Sequence, residues 1–181
     1  LHLKVDADLY ESEAAGGRLP QFHVAVDLAG RRLTTLARGS FENIDLGSVG
    51  LQRVDPGILT GTTDVSVTVD DVTASSAVDL LRATGSVMLE KSTLAGVAID
   101  TAEVKGAYVN RVGQIEKLTV MGADLNATAS GVLSLDEETE SNLQYDVTAS
   151  DLKLLAKFIN RPVQGAAHVQ GTVKGRKAEL I

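Results

Sequence analysis

Apolar and polar residues alternate along most of this 181-residue chain. In "LHLKVDADLY", Leu1, Leu3, Val5, Ala7 and Leu9 fall on one side, with His2, Lys4, Asp6 and Asp8 on the other. "QFHVAVDLA" repeats the pattern with Phe22, Val24, Val26 and Leu28. "TDVSVTVDDV" carries Val65, Val67 and Val69, "GSVMLEKSTL" carries Val87 and Leu89, and "GVAID" carries Val97 and Ile99. A long stretch continues through Leu118, Val120, Leu125, Ala127, Ala129, Leu133 and Leu135, and "NLQYDVTA" adds Tyr145, Val147 and Ala149. A period of two residues is the signature of a strand with one face apolar. Turn residues fall between the runs, at Gly16-Gly17, Ala29-Gly30, Gly122-Ala123 and 136–140. Strand and turn recurring every roughly 8–12 residues predict an all-β, mainly antiparallel meander.

Two segments depart from this period. In 151–159, Leu152, Leu154, Leu155, Phe158 and Ile159 have helical spacing behind Asp151, a good N-cap. Pro162 pushes its predecessor out of the α region, so one short helix is predicted to end near Asn160. "SSAVDLLRATG" gives a weaker helical candidate over 75–83, with Val78, Leu80 and Leu81. There is also an internal echo: "GILTGTTDVSVTV" (57–69) aligns without gaps on "RPVQGAAHVQGTV" (161–173), 104 residues later. Gly61 meets Gly165, Val65 meets Val169 and Val69 meets Val173. Both ends of the sequence fall inside extended patterns. Residues 1–181 are therefore expected to be a stretch of a longer repeating β domain, with repeat boundaries near 57–69 and 161–173.

Composition narrows the function classes. Only 3% of residues are aromatic and Trp is absent, which is poor material for walling a small-molecule active site. A net charge of −7 disfavours phosphate-led binding of nucleic acid and electrostatic attachment to an anionic membrane surface. The chain has no cysteine, so disulfides and thiolate metal sites are excluded. No apolar run approaches the roughly 20 residues of a membrane-spanning helix. His2, His23 and His168 each occupy a polar phase of a strand, which reads as surface rather than as a metal set. "DEETE" (136–140) lacks the spacing and glycine of a calcium loop and reads as a solvated turn. Ser40, Ser48 and Ser86 adjoin glycines without a nucleophile elbow, and "GSVG" (47–50) lacks the lysine of a phosphate loop. No catalytic residue, metal or cofactor is expected, and the chain is read as non-enzymatic.

Over 85–175 the sequence resembles the AsmA/TamB superfamily of bacterial envelope proteins. The resemblance rests on "GSVML", "VMGADLNATASGVLSL", "YDVTASDL", "LKLLAKFI" and "RPVQGAAHVQGTVKG", in that order. It implies an elongated sheet curved into a trough, apolar inside and polar outside, interrupted by a short helix at its edge or end. It further implies a periplasmic role within a protein anchored in the inner membrane. That role is sheltering phospholipid acyl chains between the two membranes, or aiding outer-membrane assembly. The expected partners are phospholipid or another acyl-chain ligand, with inner- and outer-membrane proteins at the ends of the trough.

The candidate site is thus a face rather than a motif. Its members are Leu3, Val5, Val24, Val26, Val65, Val67, Val69, Val87, Leu89, Leu133, Leu135, Tyr145, Val147, Val169 and Val173. Leu152, Leu155, Phe158 and Ile159 are expected to cover part of it from the helix. Small residues such as Ala127, Ala129 and Ala149 would leave room for a ligand. The alternative is a β-sandwich whose apolar faces close on each other, making the chain a structural spacer or adhesin-like module with a dry core; alternation alone does not separate the two.

Overall fold

The computed structural model describes residues 2–49, 56–74, 76–154 and 164–176. Ten antiparallel strands follow one another in a single sheet whose spatial order is the chain order. They are β1 (His2–Ala14), β2 (Gly17–Ala29), β3 (Arg32–Asp45), β4 (Gly57–Val69) and β5 (Leu81–Leu94), followed by β6 (Val97–Val109), β7 (Val112–Met121), β8 (Leu125–Ser134), β9 (Ser141–Ala149) and β10 (Ala167–Gly175). Every substantial contact between strands joins sequence neighbours. Among the described residues no second sheet lies across the first, so the sandwich alternative is not what forms. The sheet is open and curled, in keeping with a trough.

Tight hairpins set the register. Ala14 pairs with Gly17, Leu94 with Val97 and Val109 with Val112, leaving two-residue turns. Ala15-Gly16, Ala95-Gly96 and Asn110-Arg111 all have positive φ, the conformation whose twist matches that of the flanking strands. The first two hairpins lie 80 residues apart, and the correspondence extends along both strand pairs. Glu11 and Lys91 share a positive φ (46° and 45°), and Leu9↔Phe22 and Ser12↔Leu19 correspond to Leu89↔Ala102 and Ser92↔Ile99.

At each of these two sites the burial alternation skips one residue. Leu89 and then Ser92 are sheltered on β5, and Ala102 and then Ile99 on β6. At each kink the positive φ shifts the sheltered phase by one residue while the pairing register is kept. Register shifts between Phe41 and Ile44, Ile58 and Gly61, and Ile115 and Leu118 add bulges, which bend and further twist a sheet.

Glycine is required where neighbouring strands approach closely. Gly85 has φ +151°; a Cβ there would collide with the carbonyl oxygen of Asp64 and lie 2.7 Å from the Cα of Val65. Only a residue without a side chain lets β4 and β5 approach this way.

One helical expectation is corrected, and most of the other lies outside the described residues. Ala77–Leu80 forms a single 3-10 turn, and Leu81 already begins β5, so the helical reading of 75–83 is corrected. Val78, Leu80 and Leu81 straddle a turn and a strand start, a mixture that counterfeits helical spacing. In the second segment Leu152–Leu154 is a 3-10 turn, tied by the Leu152 N–H donating to the Gly165 carbonyl at 2.7 Å. Leu155, Phe158 and Ile159 lie outside the described residues, as does 161–163 of the proposed repeat.

Candidate functional site

Cross-strand register assigns each position to a face, because directly opposed residues point the same way. One row runs Ala7–Val24–Ala37–Val65–Gly85–Gly106–Ile115–Gly131–Leu143–Val173, across all ten strands. A neighbouring row runs Val5–Val26–Thr35–Val67–Ala83–Tyr108–Gly113–Leu133. On the other side of the first, Leu9, Phe22, Thr63, Val87, Val104, Leu118, Ala129 and Tyr145 line up. Leu3 and Val69 flank one margin, with Leu28, Leu33 and Leu81. Leu89, Val147 and Val169 share the row of Ala102, Val120 and Ala127. The register therefore brings fourteen of the fifteen candidate residues onto one face. The fifteenth, Leu135, follows the last residue of β8 and is 47% exposed in the loop.

Among the described residues the apolar face is sheltered but not covered. Leu3, Val5, Val104 and Val169 remain 43–51% exposed. Among the described residues full burial of apolar side chains is confined to small groups. Phe41, Ala95, Val97, Ile99 and Ala102 cluster at one end of β3, β5 and β6, and Ala149 is buried at the end of β9. Ser92 is buried among the former: its Oγ accepts from the Thr60 N–H at 3.0 Å and lies 3.2 Å from the Thr60 carbonyl. The middle of the sheet has no such closed core.

An apolar hollow of about 270 Å³ opens over Gly85 and Gly106, walled by Val65, Ala83, Val87, Val104, Tyr108 and Ile115. The two facing glycines form its floor, since neither supplies a side chain to fill it. The Tyr108 hydroxyl is shielded from solvent and has no hydrogen-bond partner among the described residues. A larger hollow of about 700 Å³ lies mainly over polar side chains of β7 to β10, including Lys117, Thr128, Gln144 and Gln170. Its polar walls would have to be stripped of water to take an apolar ligand, unlike those of the smaller hollow.

The opposite face is an electrostatic lattice. Arg38 faces Asp64 at 2.9 Å, Lys105 faces Glu116 at 2.6 Å and Lys117 faces Glu103 at 2.6 Å. The Glu116 carboxylate, by hydrogen bond and charge, raises the pKa of Lys105. All three histidines lie on this face as the alternation foretold, each beside an aspartate: His2 with Asp27 at 3.2 Å, His23 with Asp8 at 2.9 Å and His168 with Asp146 at 3.0 Å. Those aspartate partners depend on register and could not be read from the one-dimensional pattern. No group of His, Asp and Glu suited to a metal ion occurs among the described residues. At one margin, Asp71 accepts from the Thr73 hydroxyl at 2.7 Å and the Thr73 N–H at 2.9 Å, with Arg31 3.2 Å away. These contacts, Thr73 first, hold the Asp71 carboxyl below the usual range. In the 136–140 turn, Asp136 is lowered similarly, chiefly by the Thr139 hydroxyl.

The site has the form of an extended apolar strip about one strand length wide, backed by a charged surface. Among the described residues no helix is long and apolar enough to cross a membrane. Comparison with family models, curated proteins and solved structures finds no match to this chain.

Proposed function

We propose that this chain shelters the acyl chains of phospholipid along its apolar face, as a non-enzymatic element of an AsmA/TamB-like protein of the bacterial periplasm. One observation carries the reading: a single apolar face runs unbroken from β1 to β10 and no described layer covers it. A carrier faces a large energetic demand. Each exposed methylene costs about 0.8 kcal/mol, so a chain of roughly 16 carbons costs about 12 kcal/mol in water. A strip of Val, Leu and Ala meets that demand at every position without recognising any one lipid, which suits a site with no sharp motif. The polar face keeps the opposite side soluble.

In this reading the protein links inner and outer membrane or supports outer-membrane assembly, with membrane proteins at its ends, and it handles no nucleic acid. Solvent extraction of the protein purified without detergent, followed by mass spectrometry of the extract, tests it. Phospholipid near stoichiometric amounts is the expected result. Lipid-free protein that stays monomeric would overturn it and favour a spacer.

A further inference from the structure

We infer that the hollow over Gly85 and Gly106 seats the ester end of an acyl chain, with the Tyr108 hydroxyl donating to the ester carbonyl. The inference rests on the acyl-chain reading above and narrows it to one place and one functional group.

The hollow is a gap left by missing side chains. Gly85 and Gly106 face each other across β5 and β6, and the next row runs Ala83–Tyr108–Gly113. Crowding accounts for the first two glycines, since a Cβ on either would strike a carbonyl oxygen, of Asp64 or of Gln114. It does not account for Gly113. A Cβ there would sit at ordinary contact distance, 3.5 Å from the Leu133 carbonyl oxygen and 3.8 Å from Cδ2 of Tyr108. The Tyr108 ring thus lies beside a position that leaves it room to move. A dry apolar cavity of about 150 Å³ holds one benzene ring. By that measure a hollow of about 270 Å³ seats on the order of ten carbons, part of one chain rather than a whole lipid.

Tyr108 supplies the chemistry. Its hydroxyl is closed off from water and has no hydrogen-bond partner among the described residues. Such a group is a net cost that phenylalanine, with the same ring, would avoid. An acceptor that arrives with a ligand gives the hydroxyl its use. A swing of the ring over Gly113 brings the hydroxyl to that acceptor. One neutral donor in apolar surroundings matches a neutral oxygen and does not offset the burial of a carboxylate or phosphate. Lys105, the charged residue bordering the hollow, is turned to the opposite face, where it pairs with Glu116 at 2.6 Å. The match is therefore a carboxylic ester, an apolar chain ending in an uncharged carbonyl. An ionised fatty acid is excluded on the same ground. The site reads what ester-linked phospholipids share and ignores the head group.

The test crosses two lipids with two proteins. Wild type and Tyr108→Phe are each loaded with phosphatidylethanolamine carrying carbon-13 at its ester carbonyls, or with the diether analogue, which has none. Wild type should bind the ester about three- to tenfold more tightly than the ether, the worth of one neutral hydrogen bond. The infrared carbonyl stretch of the bound ester should lie at lower wavenumber in wild type than in Tyr108→Phe. The variant should lose the preference for ester, while its lipid-free melting temperature stays the same or rises. Equal affinity of wild type for the two lipids, or one carbonyl band position in both proteins, would overturn the inference and leave the apolar strip standing. Binding of neither lipid would overturn both. A Tyr108→Phe protein that melts lower without lipid would show a hydroxyl already partnered, and would also sink it.

Discussion

Replacing Val67 by arginine places a charge at the middle of the apolar face and separates an open strip from a closed core. Val67 lies opposite Thr35 on β3 and Ala83 on β5 and is partly exposed. Full burial of a valine is worth at least about 1.5 kcal/mol. A half-sheltered one forfeits about 1 kcal/mol when its apolar contacts go. The arginine stem can lie along Val65 and Val69 while its head reaches water, because no layer among the described residues covers the face. Folding should therefore weaken by only about 1–2 kcal/mol.

Lipid loading should suffer more. Neighbouring strands are spaced by about 4.8 Å, so an extended acyl chain crossing the sheet leaves roughly four methylenes over each strand. Displacing four from contact costs about 3.2 kcal/mol, on the order of two-hundred-fold in affinity. The assay pairs urea unfolding with quantification of co-purified lipid in the same preparation. An unfolded variant would refute the open face, since an unpaired charge in a closed core costs several kcal/mol. A folded variant with unchanged lipid would refute the strip as the acyl path.

Further outcomes follow from individual contacts. Gly85→Val should destabilise by more than about 2 kcal/mol, because the new side chain meets backbone and its φ is unfavourable; Gly30→Asn, in open space at a turn, should leave the melting temperature within a degree or two. Ser92→Ala should cost about 1–3 kcal/mol in chemical unfolding by orphaning the Thr60 N–H. Asp71 has its folded pKa lowered, so its contribution to the 70–74 loop is complete above the unfolded value and disappears as pH falls through the still lower folded value. Asp71→Asn should therefore flatten the acid limb of the stability profile while leaving its neutral-pH arm nearly parallel to wild type.

Much of this architecture was legible because the period-two signal is strong where both phases are pure. Val65, Val67 and Val69 against Asp64, Ser66 and Thr68 leave no doubt about which side faces which. The same reading passed over β3. Its apolar-face positions are Leu33, Thr35, Ala37, Gly39 and Phe41, diluted by threonine and glycine, while Leu36 sits on the polar face opposite Ala25 and Ser66.

The 80-residue correspondence also escaped the one-dimensional reading. What recurs there is backbone geometry, and Glu11 and Lys91, or Leu19 and Ile99, carry it with different side chains. The phase skip at those kinks is a dihedral event that residue identity announces weakly. Leu135 was assigned by extending the alternation one step too far, past the Ser134 amide, which donates to the buried Ser141 hydroxyl at 3.0 Å.

The central claim is that acyl chains lie on the apolar face of β1 to β10, and photo-crosslinking tests it most directly. A phospholipid carrying a diazirine midway along one acyl chain is loaded onto the purified protein, irradiated, and the adducts are located by peptide mass spectrometry. Adducts at apolar-face positions such as Val24, Val67, Leu89 and Val147, with few at Asp64, Lys105 or Gln144, are the predicted result. Adducts concentrated on the polar face, or none above a scrambled-lipid control, would contradict it.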